Sequence, residues 1–133
     1  MNRPETASQQ LLRIALFGNA GFSLLSAAIL VAGRVGVMRW IGAPADFDAL
    51  FLAVGLIVFA LWLLRNAFRS QIKLLDARLA VGMDLAWVAL SLPVVAFVPL
   101  TTGGKWVVDM VATIVLCFAI TQWVGIRRIN RKR

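Results

Sequence analysis

The sequence predicts an all-α membrane protein: a bundle of four transmembrane helices with the N and C termini both cytoplasmic. Three observations carry that expectation. Hydrophobic residues make up 61% of the 133, with a mean hydropathy of +0.85, against roughly 45–50% apolar residues in soluble domains. The charges leave four apolar runs, each close to the roughly 20 residues a helix needs to cross a bilayer core about 30 Å thick. Lysine and arginine fall very unevenly on the two sides of those runs, as the positive-inside rule describes.

The runs are residues 11–33, 47–64, 79–100 and 106–126 of one domain, 1–133, and a basic tail at 127–133 follows them. Arg13 interrupts the first near its start, Asp48 edges the second, Asp84 lies in the third and Asp109 in the fourth. Hydrocarbon offers backbone amides no partners, so each run is expected to be helical. The opening ten residues are polar and lack the charged leader of a signal peptide, and the run that follows is too long for a signal core. The first helix is therefore expected to be retained.

Eleven of the 14 basic residues fall on one side: Arg3, Arg13, Arg65, Arg69, Lys73, Arg78, Arg127, Arg128, Arg131, Lys132 and Arg133. Arg34, Arg39 and Lys105 fall on the other. This split places both termini in the cytoplasm, and the chain is expected in a cytoplasmic (inner) membrane. Trp40 and Trp106 mark the outer boundary and Trp62 and Trp123 the inner one, at the depth amphipathic rings favour. The net charge of +8 is spread between and after apolar runs, which argues for orientation signals and against nucleic acid. Arg69, Lys73, Arg128, Arg131, Lys132 and Arg133 are the expected contacts to lipid headgroups.

The connections carry their own expectations. Residues 65–78 alternate Phe68, Ile72 and Leu75 with Arg69, Lys73 and Asp76, the pattern of a helix lying on a membrane surface. Residues 35–41 form a similar short apolar stretch that ends at Gly42 and Pro44, and 101–104 reads as a tight turn. Pro93 should bend the third span.

Chemistry is sparse. The chain has one cysteine, Cys117, and no histidine or tyrosine. This argues against disulfides, zinc or iron–sulfur sites, histidine-ligated haem and nucleophile–histidine pairs. No catalytic, cofactor-binding or metal-ligating residues are assigned, and no cofactor is expected. Cys117 reads as a small buried apolar residue.

An ionisable group in a span costs about 2.5–3.5 kcal/mol at the centre and needs a partner or a use. Asp84 is the principal case, about 7 Å inside the cytoplasmic end of the third run and within reach of Arg13 or Arg127. Ala80, Asp84, Trp87 and Ser91 share a face of the third span; Ala15, Asn19, Ser23 and Ser26 share one of the first. These faces are expected to meet, making Asn19, Asp84, Trp87 and Ser91 the candidate intramembrane polar site. The second span has no hydrogen-bonding side chain between Ala49 and Leu64 and should face lipid or a partner. Asp109 is explained by a rim salt bridge with Lys105, four residues earlier. Gln122 faces well away from Asp109.

The stretch L-x-x-N-A-G-F-S-L-L-S from Leu16 to Ser26, D-L-A-W-V from Asp84 to Val88 and Q-W-V-G-I-R-R from Gln122 to Arg128 resemble features of DoxX-like bacterial four-helix membrane proteins. The resemblance implies a four-helix bundle and no particular reaction. Small multidrug exporters carry a carboxylate in the first helix, where this chain has Asn19. Dual-topology fluoride channels balance the basic charge that is so uneven here.

The leading expectation is a non-enzymatic accessory or structural subunit packing with other membrane proteins, lipids or further copies of itself. The alternative is a transporter or binder of a small apolar or cationic molecule, with Asp84 and Asn19 lining a pocket bent by Pro93. A lipid-modifying enzyme is a third, for which no nucleophile and base can be named.

Overall fold

The computed structural model describes residues 6–132, so Arg3 and Arg133 lie outside the described residues. The described chain is all-helical: α1 (Ala7–Ala32), α2 (Gly36–Ile41), α3 (Ala49–Ala67), α4 (Leu74–Phe97) and α5 (Thr102–Asn130). All but α2 are long and apolar enough to cross a membrane.

Side-chain caps explain where three of the long helices start. The Thr6 hydroxyl accepts from Gln9 N at 3.3 Å while Gln9 Oε1 accepts from Thr6 N at 3.4 Å, a reciprocal capping box. Asp48 Oδ1 accepts from Leu50 N and Phe51 N, and Thr101 Oγ1 accepts from Gly104 N at 3.0 Å. Each oxygen satisfies amides that the first turn of a helix leaves without partners.

The helix ends correct three expectations. Residues 65–78 hold no separate surface helix: α3 runs on to Ala67, and a short turn leads into α4 at Leu74. Asn66 makes that turn, its Nδ2 donating to Lys73 O at 3.2 Å and its Oδ1 accepting from Lys73 N at 2.9 Å. Asp76 and Arg78, which seemed to end the apolar run, ride inside α4. Residues 102–104 are the first turn of α5 rather than a loop. The short stretch after α1 does form a helix, α2, closed by Gly42 in the left-handed region at φ 78°.

The four long helices form a ring with one loose side. α1 packs broadly on α3 and also on α5, and α5 packs on α4, whereas α3 and α4 meet only lightly. α1 and α5 come close: a Cβ on Gly125 would lie 3.1 Å from Leu12 Cβ, and one on Gly18 would lie 2.9 Å from Phe118 Cε1. Small residues permit such approach between helices in lipid. α2 rests on α5, where Thr101 Oγ1 donates to Trp40 O at 2.8 Å and Thr101 N donates to Ile41 O at 2.9 Å. A Cβ at Gly42 would stand 2.9 Å from Thr101 N, so this joint needs glycine for space as well as for φ.

The second apolar run, with Trp62 as its one hydrogen-bonding side chain past the Asp48 cap, is thus the main neighbour of α1. Ala49, Ala53, Ala60, Leu63 and Ala67 bury one stripe of α3. Its other face exposes Phe51, Val54, Val58 and Leu61. On α5 the buried stripe is Val115, Ala119, Gln122, Ile126 and Ile129. Cys117 falls on the opposite side and is exposed, which corrects its expected burial. α4 continues through Pro93 to Phe97 as one helix.

Candidate functional site: a polar cluster across three helices

The polar side chains buried near the middle of the bundle belong to α1, α4 and α5. Asn19 Nδ2 donates to Asp84 Oδ2 at 2.7 Å, and Gln122 Nε2 donates to the same oxygen at 3.2 Å. Asn19 is 1% exposed, Asp84 3% and Gln122 fully buried. The burial stripes of the three helices place them there. Asn19 falls between Leu16 and Ala20 on α1, Asp84 follows Ala77, Ala80 and Val81 on α4, and Gln122 follows Ala119 on α5. Because α4 starts at Leu74, Asp84 lies about 15 Å along its helix, further in than a run starting at Leu79 would put it.

The two arginines considered as partners of Asp84 are engaged elsewhere. Arg13 NH1 donates to the Ala67 carbonyl and, at 2.9 Å, to Arg69 O. Those carbonyls lie at and just beyond the C-terminal end of α3, where a helix runs out of internal donors and a guanidinium is a favoured cap. Arg13 precedes Asn19 by six residues, about 9 Å of helix, and is level with that end. Arg127 lies over the Trp123 ring, 5.9 Å from its centroid. Two amides on α1 and α5 take the place of a cation beside Asp84.

The other members of the expected face separate from the cluster. Trp87 is 37% exposed. Ser91 is buried, but its hydroxyl donates to Val88 O at 2.6 Å within α4. No ion pair joins Lys105 and Asp109 among the described residues; the Asp109 carbonyl accepts from Thr113 Oγ1 at 2.8 Å. Both side chains are exposed.

Gln122 is the member that sequence reasoning did not assign to the site. Comparing it with Asp109 on the same helix hid its real relation, which is to a carboxylate on another helix. A usable signal was present: Gln122 follows Ala119 by three residues and precedes Gly125 by three, on the small-residue face that packs against α1.

Chemically the cluster is an intramembrane hydrogen-bonding knot. Each amide removes part of the cost of burying the carboxylate, at about 1.5–3 kcal/mol for a bond to a charged group. Among the described residues no group of three or more His, Cys, Asp or Glu could hold a metal ion. A separate shallow cavity of about 320 Å³ lies at the end of α5, lined by Trp123, Ile126, Arg127, Asn130 and Arg131.

The fold and cluster together define a small four-span α-helical membrane protein. No family model matches the chain, and no curated protein or solved structure gives a significant match.

Proposed function

We propose that this protein is a non-enzymatic subunit of a bacterial inner membrane, with both termini in the cytoplasm, which packs against other membrane proteins or lipids. The observation that carries the reading is the loose side of the helical ring. α3 and α4 meet only lightly, and both present large apolar side chains outward, among them Phe51, Val54, Val58 and Leu61 on α3 and Leu79, Met83 and Leu90 on α4. A further helix or ordered lipid beside these two would bury surface that the chain does not bury by itself. In lipid such association draws on packing rather than on exclusion of water.

The basic residues support the orientation. Arg65, Arg69, Lys73 and Arg78 flank the α3–α4 turn, and Arg127, Arg128, Arg131 and Lys132 close α5, so they gather at one end of the bundle. There Arg69, Lys73, Arg128, Arg131 and Lys132 would meet anionic headgroups, each charge contributing about 1 kcal/mol near such a surface. The likeness to DoxX-like proteins belongs to the same proposal and supplies an architecture, not a reaction.

The test is extraction of the native protein directly into lipid nanodiscs, followed by mass measurement of the particles. A stoichiometric second chain, or a second copy of this one, is expected. Particles that hold a single copy of this chain and no second protein would defeat the reading.

A further inference from the structure

The cluster at Asp84 holds more hydrogen-bond acceptors than donors. Asn19 Nδ2 and Gln122 Nε2 both donate to one atom, Asp84 Oδ2. Asp84 Oδ1, Asn19 Oδ1 and Gln122 Oε1 receive no hydrogen bond from any described residue, and Gln122 Oε1 is sealed from the surface as well. Buried polar atoms normally find a partner, and an orphaned one is costly. Here the orphan belongs to a carboxamide already bonded to a carboxylate, so one small region carries a full negative charge and two carbonyl dipoles.

Among the described residues no side chain supplies the missing positive charge. On α1 the nearest cation, Arg13, serves the Ala67 and Arg69 carbonyls. On α4, Arg78 precedes Asp84 by six residues, about 9 Å of helix, and Asp76 is further still. On α5, Arg127 lies over Trp123, and Asp109 is thirteen residues from Gln122, about 20 Å. Arg65 of α3 is exposed near that helix's end.

We propose that Asp84, with the amide oxygens of Asn19 and Gln122, binds one monovalent cation within the bundle, delivered as a proton or as Na⁺. One positive charge neutralises one carboxylate, whereas a divalent ion would leave net charge in hydrocarbon and calls for more carboxylate ligands than this one. As a proton, the cation converts Asp84 to a neutral acid whose O–H can donate to an amide oxygen. As Na⁺, it takes oxygen ligands from the same three side chains, each carboxamide turning its carbonyl inward. Either form gives the orphaned Gln122 oxygen a partner, and either changes the cluster that ties α1 and α5 to α4.

The proposal goes beyond the subunit reading and fails independently of it. It is tested by infrared difference spectroscopy on the full chain in nanodiscs, stepped from alkaline to acid pH in a sodium-free buffer and then exposed to Na⁺. The Asp84 signal is isolated by subtracting the spectra of Asp84→Asn. A carboxylic-acid carbonyl band that grows as pH falls and is unaffected by Na⁺ identifies the proton as occupant. Loss of that band on adding Na⁺ at fixed pH, with thermal stability rising with Na⁺, identifies Na⁺. Gln122→Leu keeps the carboxylate but removes one amide donor and one carbonyl from beside it; it should shift the proton concentration needed, or raise the Na⁺ concentration needed, by about tenfold, the effect of one lost interaction. An Asp84 carboxylate band that neither pH nor Na⁺ alters, in wild type and in Gln122→Leu alike, would overturn the proposal.

Discussion

α3 and α4 flank the α1–α5 pair on its two sides, yet they are held by different chemistry. α3 is fastened to α1 by a stripe of alanines, with Ala60 and Ala67 fully buried and Ala53 nearly so. α4 rests on α5 along a narrow stripe and reaches α1 through the hydrogen bond from Asn19 to Asp84. Along its length α3 is held by shape, with Arg13 of α1 capping its C-terminal end, whereas α4 is held by shape and a buried carboxylate. The comparison teaches that a span almost bare of hydrogen-bonding groups is not a span without partners. Small side chains let backbones approach, and in lipid that closeness is itself a cohesive force.

The largest effect is expected in the alanine seam of α3. Ala60→Leu forces a branched side chain into a site with no exposure, at a cost of about 3 kcal/mol, the upper end for overpacking. Thermal unfolding in nanodiscs reads this directly, and an unchanged midpoint would mean the α1–α3 seam is loose. Next comes Asp84→Leu, which leaves the Asn19 and Gln122 amides without their acceptor and should cost about 2 kcal/mol. Asp84→Asn should cost clearly less, since it keeps an acceptor and removes the buried charge. Equal losses for the two variants would show that the charge, not the hydrogen bonds, holds α4.

A smaller loss is expected outside both seams. Gly42→Ala puts a side chain at φ 78° and close to Thr101 N, costing about 1–2 kcal/mol through the left-handed conformation. Proteolysis after α2 should quicken correspondingly if the joint between α2 and α5 opens. The smallest effect belongs to Lys105→Met. With no ion pair to Asp109 it should stay within about 0.5 kcal/mol, and a larger loss by chemical denaturation would reveal a pairing the fold does not show.

Much of the architecture was legible in the sequence because hydropathy and charge act over whole segments. All four long helices overlap the predicted runs, with ends displaced by one to five residues. The displacements have local causes. Thr6, Asp48 and Thr101 cap helices by side-chain geometry, and Asp76 and Arg78 occupy the first turns of α4, where its amphipathic start tolerates charge. The apparent surface helix of residues 65–78 was a composite of two helix ends and an Asn66-made turn. In the site, Asn19 and Asp84 stood out as polar interruptions of apolar runs. Gln122 did not, because its partner is on another helix, and pairing between helices depends on their relative rotation. Trp87 was grouped with Asp84 by spacing alone, and the narrow packing stripe of α4 leaves it partly outside.

The claim on which the account rests is that α1 and α4 are coupled through one buried polar contact. A double-mutant cycle with Asn19→Leu, Asp84→Leu and the pair, measured by reversible unfolding in lipid, addresses it most directly. The expected coupling is about 0.6 to 1.7 kcal/mol, the range of polar contacts between helices in membranes, with the double variant less damaged than the sum of the singles. Strictly additive losses would show that Asn19 and Asp84 act separately and would contradict it.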